Sequence, residues 1–312
     1  MDEHAMQQAG EAGMRAYGRR LVAAGLLLLL ACAGTAAAQE ARTITWNLVD
    51  WPPFYVLKNG QAPASAEELG EGAIDEFLRL LLPHLPQYRH RFVTLNGPRA
   101  EVERRAGRGL CSPSSMRTPA RLKERYFTPA LPTVQLQLVL RRERLALLAQ
   151  GRGTVSLRQL TQRAELSGLV MRARHYGEEL APWLAEAPDR NVKVMVAPRA
   201  GNLLTMLAAG RMDYTLEYPM VVAYHQQGRA AELVSLPIEE AGEPPLGYIS
   251  CNRNPWGLAV MRDIDRALRE LARQPEAAQV YRRWLGEEQQ AREQARLERF
   301  FAQRARGGVR IE

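Results

Sequence analysis

The chain has 312 residues, 46% of them hydrophobic, enough to bury a large core spread over two domains, and it carries a formal net charge of +8. All but three of its 42 basic residues are arginine, the lysines being Lys58, Lys123 and Lys193, and the arginines are scattered through every segment. A nucleic-acid binder gathers positive charge on one face or tail beside a recognition motif; this chain does neither, which argues against nucleic acid as a partner.

Residues 1–38 read as an export signal. Arg15, Arg19 and Arg20 precede the apolar run 21–34, and Ala36, Ala37 and Ala38 supply a small-residue cleavage site before Gln39. Met14 would start a more compact version of the same signal. The run is short for an uncleaved anchor of about 20 residues, and Cys32, after Leu29, Leu30 and Ala31, offers a lipoprotein site as the weaker alternative. The expected location is therefore the periplasm. Cleavage leaves two cysteines, Cys111 and Cys251, in an oxidising compartment that favours pairing, a bridge worth about 5 kcal/mol in the chain-entropy model. Two free buried thiols are the alternative. If the two touch, the chain leaves a domain after residue 111 and returns to it before residue 251.

Residues 43–49, TITWNLV, predict a strand running into the loop Asp50-Trp51-Pro52-Pro53-Phe54, where the prolines cannot continue a ladder. Apolar positions 74, 77, 78, 81 and 82 predict a helix stopped by Pro83. HRFVTL predicts a second strand, and 98–108 an exposed helix closing at Gly109. Leu110 and Cys111 would finish a third strand, Ser112 to Ser115 would form a loop, and Thr118 would cap a short helix with Pro119 in its first position. The alternating run 133–143 predicts a strand that opens a second series. That series has a helix capped by Ser156, a strand at 166–173, a helix at 176–187, a strand at 191–197, a helix at 201–210 and a strand at 213–216. Residues 232–237 and 246–252 predict two more strands, 261–284 a helix pair interrupted at Pro275, and 287–312 a solvated helix fraying into a charged tail. Alternating strands and helices predict an α/β class with mainly parallel sheets, whose ligands sit at the carboxyl ends of the strands.

Several motifs in this order resemble the periplasmic solute-binding protein family 3, the amino-acid-binding receptors of ABC-type transporters. They are DWPPF, TPAR with YFTPAL, SLRQL, HYGEEL, LAAGRMDYTLEY and the closing YRRWL, and the resemblance covers nearly the whole mature chain. It implies the type II periplasmic-binding-protein fold, two lobes that are each a mainly parallel sheet flanked by helices, joined by a two-strand hinge. Lobe one would be 40–132 with 246–285, lobe two 133–245, and 286–312 the tail; Cys111 and Cys251 both fall in lobe one. The implied function is capture of a small carboxylate-bearing solute, an amino acid or a relative, for an inner-membrane permease, by a monomer with no cofactor or metal.

By the same resemblance, Arg121 takes the ligand carboxylate, its planar fork donating two parallel hydrogen bonds. The hydroxyls of Ser114, Ser115 and Thr118 complete the cradle, and Trp51 packs against the ligand. In the second lobe the chain departs from the family. Arg174 and His175 replace a small hydroxyl pair and would add positive charge to the pocket. Tyr218 stands where the ammonium-binding aspartate is usual, with Glu217 beside it as a substitute. Two other readings use the same fold: an input domain for a membrane signalling protein, and a dehydratase-like enzyme with His175 and Glu217 as acid and base. GxSxG, HExxH, CxxC and SxxK motifs are absent, and His84, His90, His175 and His225 are too dispersed to suggest a metal cluster.

Overall fold

The computed structural model describes residues 42–149, 152–172, 174–189, 191–195, 201–228, 231–285, 287–308 and 311–312. The export segment, with Cys32, lies outside the described residues. Among the described residues no helix is long and apolar enough to cross a membrane.

Two five-stranded sheets form the frame. The first joins β1 (Thr43–Leu48), β2 (Arg89–Thr94), β3 (Leu110–Ser115), β4 (Arg125–Pro132) and, from far along the chain, β10 (Leu246–Asn252), in the order β2-β1-β3-β10-β4. Ile44, Trp46 and Leu48 of β1 are fully enclosed. β1 and β3 run parallel, with Trp46 opposite Cys111, whereas β10 runs antiparallel to both its neighbours. That register sets Cys251 directly across from Cys111, Cα to Cα 4.1 Å, and the two sulfurs are bonded.

The second sheet contains β5 (Gln137–Arg141), β6 (Gly168–Met171), β7 (Val192–Met195), β8 (Tyr214–Glu217) and β9 (Leu233–Pro237), in the order β7-β6-β8-β5-β9. Strands β7, β6 and β8 are parallel, and β5 is antiparallel to β8 and β9. Each sheet thus has a parallel part completed by one antiparallel strand reached by a crossing. The chain passes between sheets at 133–136 and again at 238–245. These crossings are tied together, since the amide and hydroxyl of Thr133 both donate to the Pro245 carbonyl, at 3.1 and 2.5 Å.

The helix α1 (Ala73–Leu81) buries Ile74, Phe77, Leu78 and Leu81, the spacing its sequence predicts. The helix α2 (Gly97–Arg105) ends before Gly107, whose φ of +78° turns the chain, rather than at Gly109. Three further expectations are corrected. β3 does not stop at Cys111 but continues to Ser115, because an extra residue bulges there against β10 and lets Pro113 lie in the ladder. The return helix begins earlier than residue 261, since Asn254 Oδ1 accepts the Gly257 amide at 2.7 Å and Pro255 occupies the first turn.

The third concerns residues 287–308 with 311–312, which are docked rather than solvated. Their helix covers Glu287–Arg306, with Leu297 and Phe301 buried. Arg304, 2% exposed, reaches Asp265 and Thr128 at 2.6 and 3.1 Å. Beyond it, Glu312 and Phe127 exchange backbone hydrogen bonds of 2.7 and 3.2 Å, which tie the end of the described chain to β4.

Candidate functional site

The loop carrying Trp51 is fastened to the first turn of α1. The amides of Ala73 and Ile74 donate to the carbonyls of Pro53 and Phe54, both at 2.8 Å, and so satisfy two amides that have no partner within the helix. The Asp75 carboxylate receives the amides of Val56 and Gly72 at 2.8 and 3.1 Å. Asp75 is fully buried, and that burial pushes its pKa up, against the pull of those two bonds. Only glycine fits at position 72, since a Cβ there would stand 2.5 Å from the Phe54 carbonyl oxygen.

Across from this loop stand residues at or just after the ends of β6 and β8 of the other sheet. Both terminal nitrogens of Arg174 donate to the two carboxylate oxygens of Glu217, at 2.8 and 2.7 Å, and the Tyr218 amide donates to Glu217 at 2.8 Å. The Arg174 and Glu217 side chains are 11% and 3% exposed. The guanidinium carbon lies 5.0 Å from the Trp51 ring, 5.2 Å from Tyr176 and 5.7 Å from Tyr218. Phe54 completes the box, its ring 4.9 Å from Trp51 and 5.4 Å from Tyr218. Burial opposes the charge on Arg174, but the Glu217 carboxylate more than offsets it and holds the arginine above its ordinary pKa. A pair this enclosed costs about 3–5 kcal/mol to break from one side.

The serine-rich strand end lies nearby. Ser115 Oγ is 3.0 Å from Ser250 Oγ, and Ser114 lies alongside Gly247 of β10. Thr118 caps α3 (Pro119–Leu122) by accepting the Arg121 amide at 3.3 Å. Arg121 is half-buried and one of its nitrogens donates to the Met116 carbonyl at 2.9 Å. Burial, then the positive charge of Arg121, holds His175 below the ordinary imidazole range.

Between the sheets is a cavity of about 270 Å³, lined by Met116, Arg117, Gln135, His175, Tyr218 and Tyr248 among others. Exposed Glu178, Glu179 and Glu243 also border it. Arg117 is paired with the Glu312 carboxylate.

The structure therefore divides the expected site residues. Trp51, Arg174, Glu217 and Tyr218 form one cluster. Thr118 and Arg121 share a turn, with His175 within electrostatic reach of the arginine, while Ser115 faces its own sheet. Two expectations change. Arg174 does not add free positive charge, because Glu217 neutralises it, and Glu217 is committed to that arginine rather than open to a ligand ammonium. The same pairing removes Glu217 from an acid–base couple with His175. Arg117, Phe54 and Tyr176 were missed. Arg117 is one residue from the recognised Thr118 motif, but nothing local marks which of two arginines faces the cavity.

No protein-family model matches the chain, and no curated protein matches it in sequence. Solved structures do match in fold. A putative L-cystine ABC transporter protein from Listeria monocytogenes is 18% identical, covering 80% of this chain and 98% of its own, with a TM-score of 0.60. An ancestral arginine-binding protein bound to arginine is 17% identical over 78% of this chain and 99% of its own, TM-score 0.58. The VFT2 domain of Bordetella pertussis BvgS is 17% identical over 78% and 94%, TM-score 0.55.

Proposed function

Because this chain has the two-lobed fold of type II periplasmic binding proteins, we propose that it is a periplasmic receptor closing on a small carboxylate-bearing solute for an ABC-type permease. The observation that carries the reading is the cavity between the sheets, which both Arg117 and His175 line. A carboxylate there gains charge-assisted hydrogen bonds in a partly enclosed site. The acids Glu178, Glu179 and Glu243 at the same cavity suit an ammonium group, which keeps amino acids in the solute class.

A thermal-shift screen of amino acids, dicarboxylates and small peptides tests this, since a ligand of the folded state raises stability by mass action. Calorimetry on the hit should show binding weakened at least about tenfold in Arg121→Ala and in Arg117→Ala. Unchanged affinity in both variants overturns the carboxylate assignment. A second reading, an input domain for a membrane signalling protein, draws on the contact of Arg174 with Trp51, which joins the lobes through the chain's own side chains. Co-purification with a permease rather than a membrane kinase or chemoreceptor separates the two.

A further inference from the structure

We propose that Arg174 is a specificity-determining residue: its guanidinium is the resident cation of the aromatic box formed by Trp51, Tyr176 and Tyr218, and it shuts that box to cationic groups of a solute. The inference deepens the solute-receptor reading above and rests on it for the solute class, though not for the chemistry of the box.

Aromatic faces converging on one point, backed by a carboxylate, make a site for a cation. Here the rings come from both lobes, and the cation at their centre is built into the chain. It lies 5.0–5.7 Å from three ring centres while Glu217 holds both its terminal nitrogens. Every component of the box that would select a guanidinium or ammonium is thus engaged within the protein. A basic group entering the box would have to expel Arg174 from a nearly dry ion pair, whereas an acid in the cavity meets Arg117 and His175 without disturbing it. Arg174 also spans the cleft, from the segment after β6 to the Trp51 ring after β1, so the exclusion and this contact between the lobes depend on the same side chain. The box therefore offers no seat to a basic side chain of the solute.

The test is chemical complementation. Arg174→Ala leaves the rings and Glu217 in place, so methylguanidine should bind the variant at least about tenfold more tightly than it binds the parent chain, by calorimetry. Free arginine should follow the same order. Equal, weak binding to both proteins overturns the proposal. If the variant is recovered only unfolded, methylguanidine is added during refolding: recovery of folded protein supports the proposal and no recovery overturns it. Adding Glu217→Gln to Arg174→Ala should abolish the gain, because the carboxylate is half of the site; a gain that persists overturns the assignment of Glu217. Binding of acids to the parent chain is read separately, so failure of the solute-receptor reading is distinguishable from failure of this one.

Discussion

Arg304, on the last long helix, donates to the carboxylate of Asp265, on the return helix Pro255–Leu271, at 2.6 Å, with both side chains at most 3% exposed. Thr128 of β4 donates to the same carboxylate at 2.9 Å and Arg269 at 2.5 Å. One buried acid thereby joins the first sheet to two helices. Arg304→Ala should cost about 1–3 kcal/mol, because it removes one charged donor while Arg269 and Thr128 still hold the buried acid, and denaturant unfolding measures it.

The same acid gives a pH dependence. Burial alone would raise the Asp265 pKa, but Arg304 and the other donors overcome it and hold the group below the ordinary aspartate value of 3.8. A depressed folded pKa contributes stability that is present above the unfolded value and lost as pH falls through the folded one. Parent stability should therefore decline below about pH 4, and the Asp265→Asn variant should lose the part of that decline due to this group. An unchanged acid limb would refute the assignment.

The bridge between Cys111 and Cys251 closes a separation of 140 residues. Reducing it, or replacing both cysteines by serine, should lower stability by about 2–5 kcal/mol. The melting temperature with and without dithiothreitol is the measurement, and the serine variant should show no response to the reductant.

Gly72 admits the Phe54 carbonyl so closely that a methyl group cannot fit. Gly72→Ala should cost about 1–3 kcal/mol by overpacking, measured by denaturant unfolding. Gly97→Ala is the control, since a Cβ there meets nothing within 4 Å, and it should be neutral or slightly stabilising.

Arg117 borders the cavity while its Nε is paired with the Glu312 carboxylate. Glu312→Gln releases that arginine, so a carboxylate solute should bind about two- to fivefold more tightly. The difference should shrink in high salt, because both partners are substantially exposed.

What the sequence disclosed follows from the range of the interactions involved. The caps at Thr118 and Ser156 are three-residue contacts, Thr118 to Arg121 and Ser156 to Gln159, and each is written in adjacent letters. The helix over 73–81 declares itself through its own period. The run of β3 through Pro113 was hidden because a proline ends most ladders, and only the opposing strand shows the bulge that accommodates it. The docking of the last helix depends on an arginine finding an acid 39 residues away, in a segment whose composition reads as solvated. At the site, Trp51 was legible as an aromatic in a loop, but its neighbour Arg174 lies far along the chain, and that arginine's partner Glu217 is 43 residues further. Separate motifs supplied the components, and only the fold showed that two of them neutralise each other.

The position of β10 between β3 and β4 has a consequence for biosynthesis. Until residues 246–252 emerge on the far side of the membrane, β3 and β4 lack the central strand that joins them, whereas all five strands of the other sheet, ending at Pro237, have already emerged. The later-starting lobe of an exported chain should therefore mature first. The earlier half of its companion must wait for the returning segment, and a chaperone that shields unfinished ladder edges would find its target there.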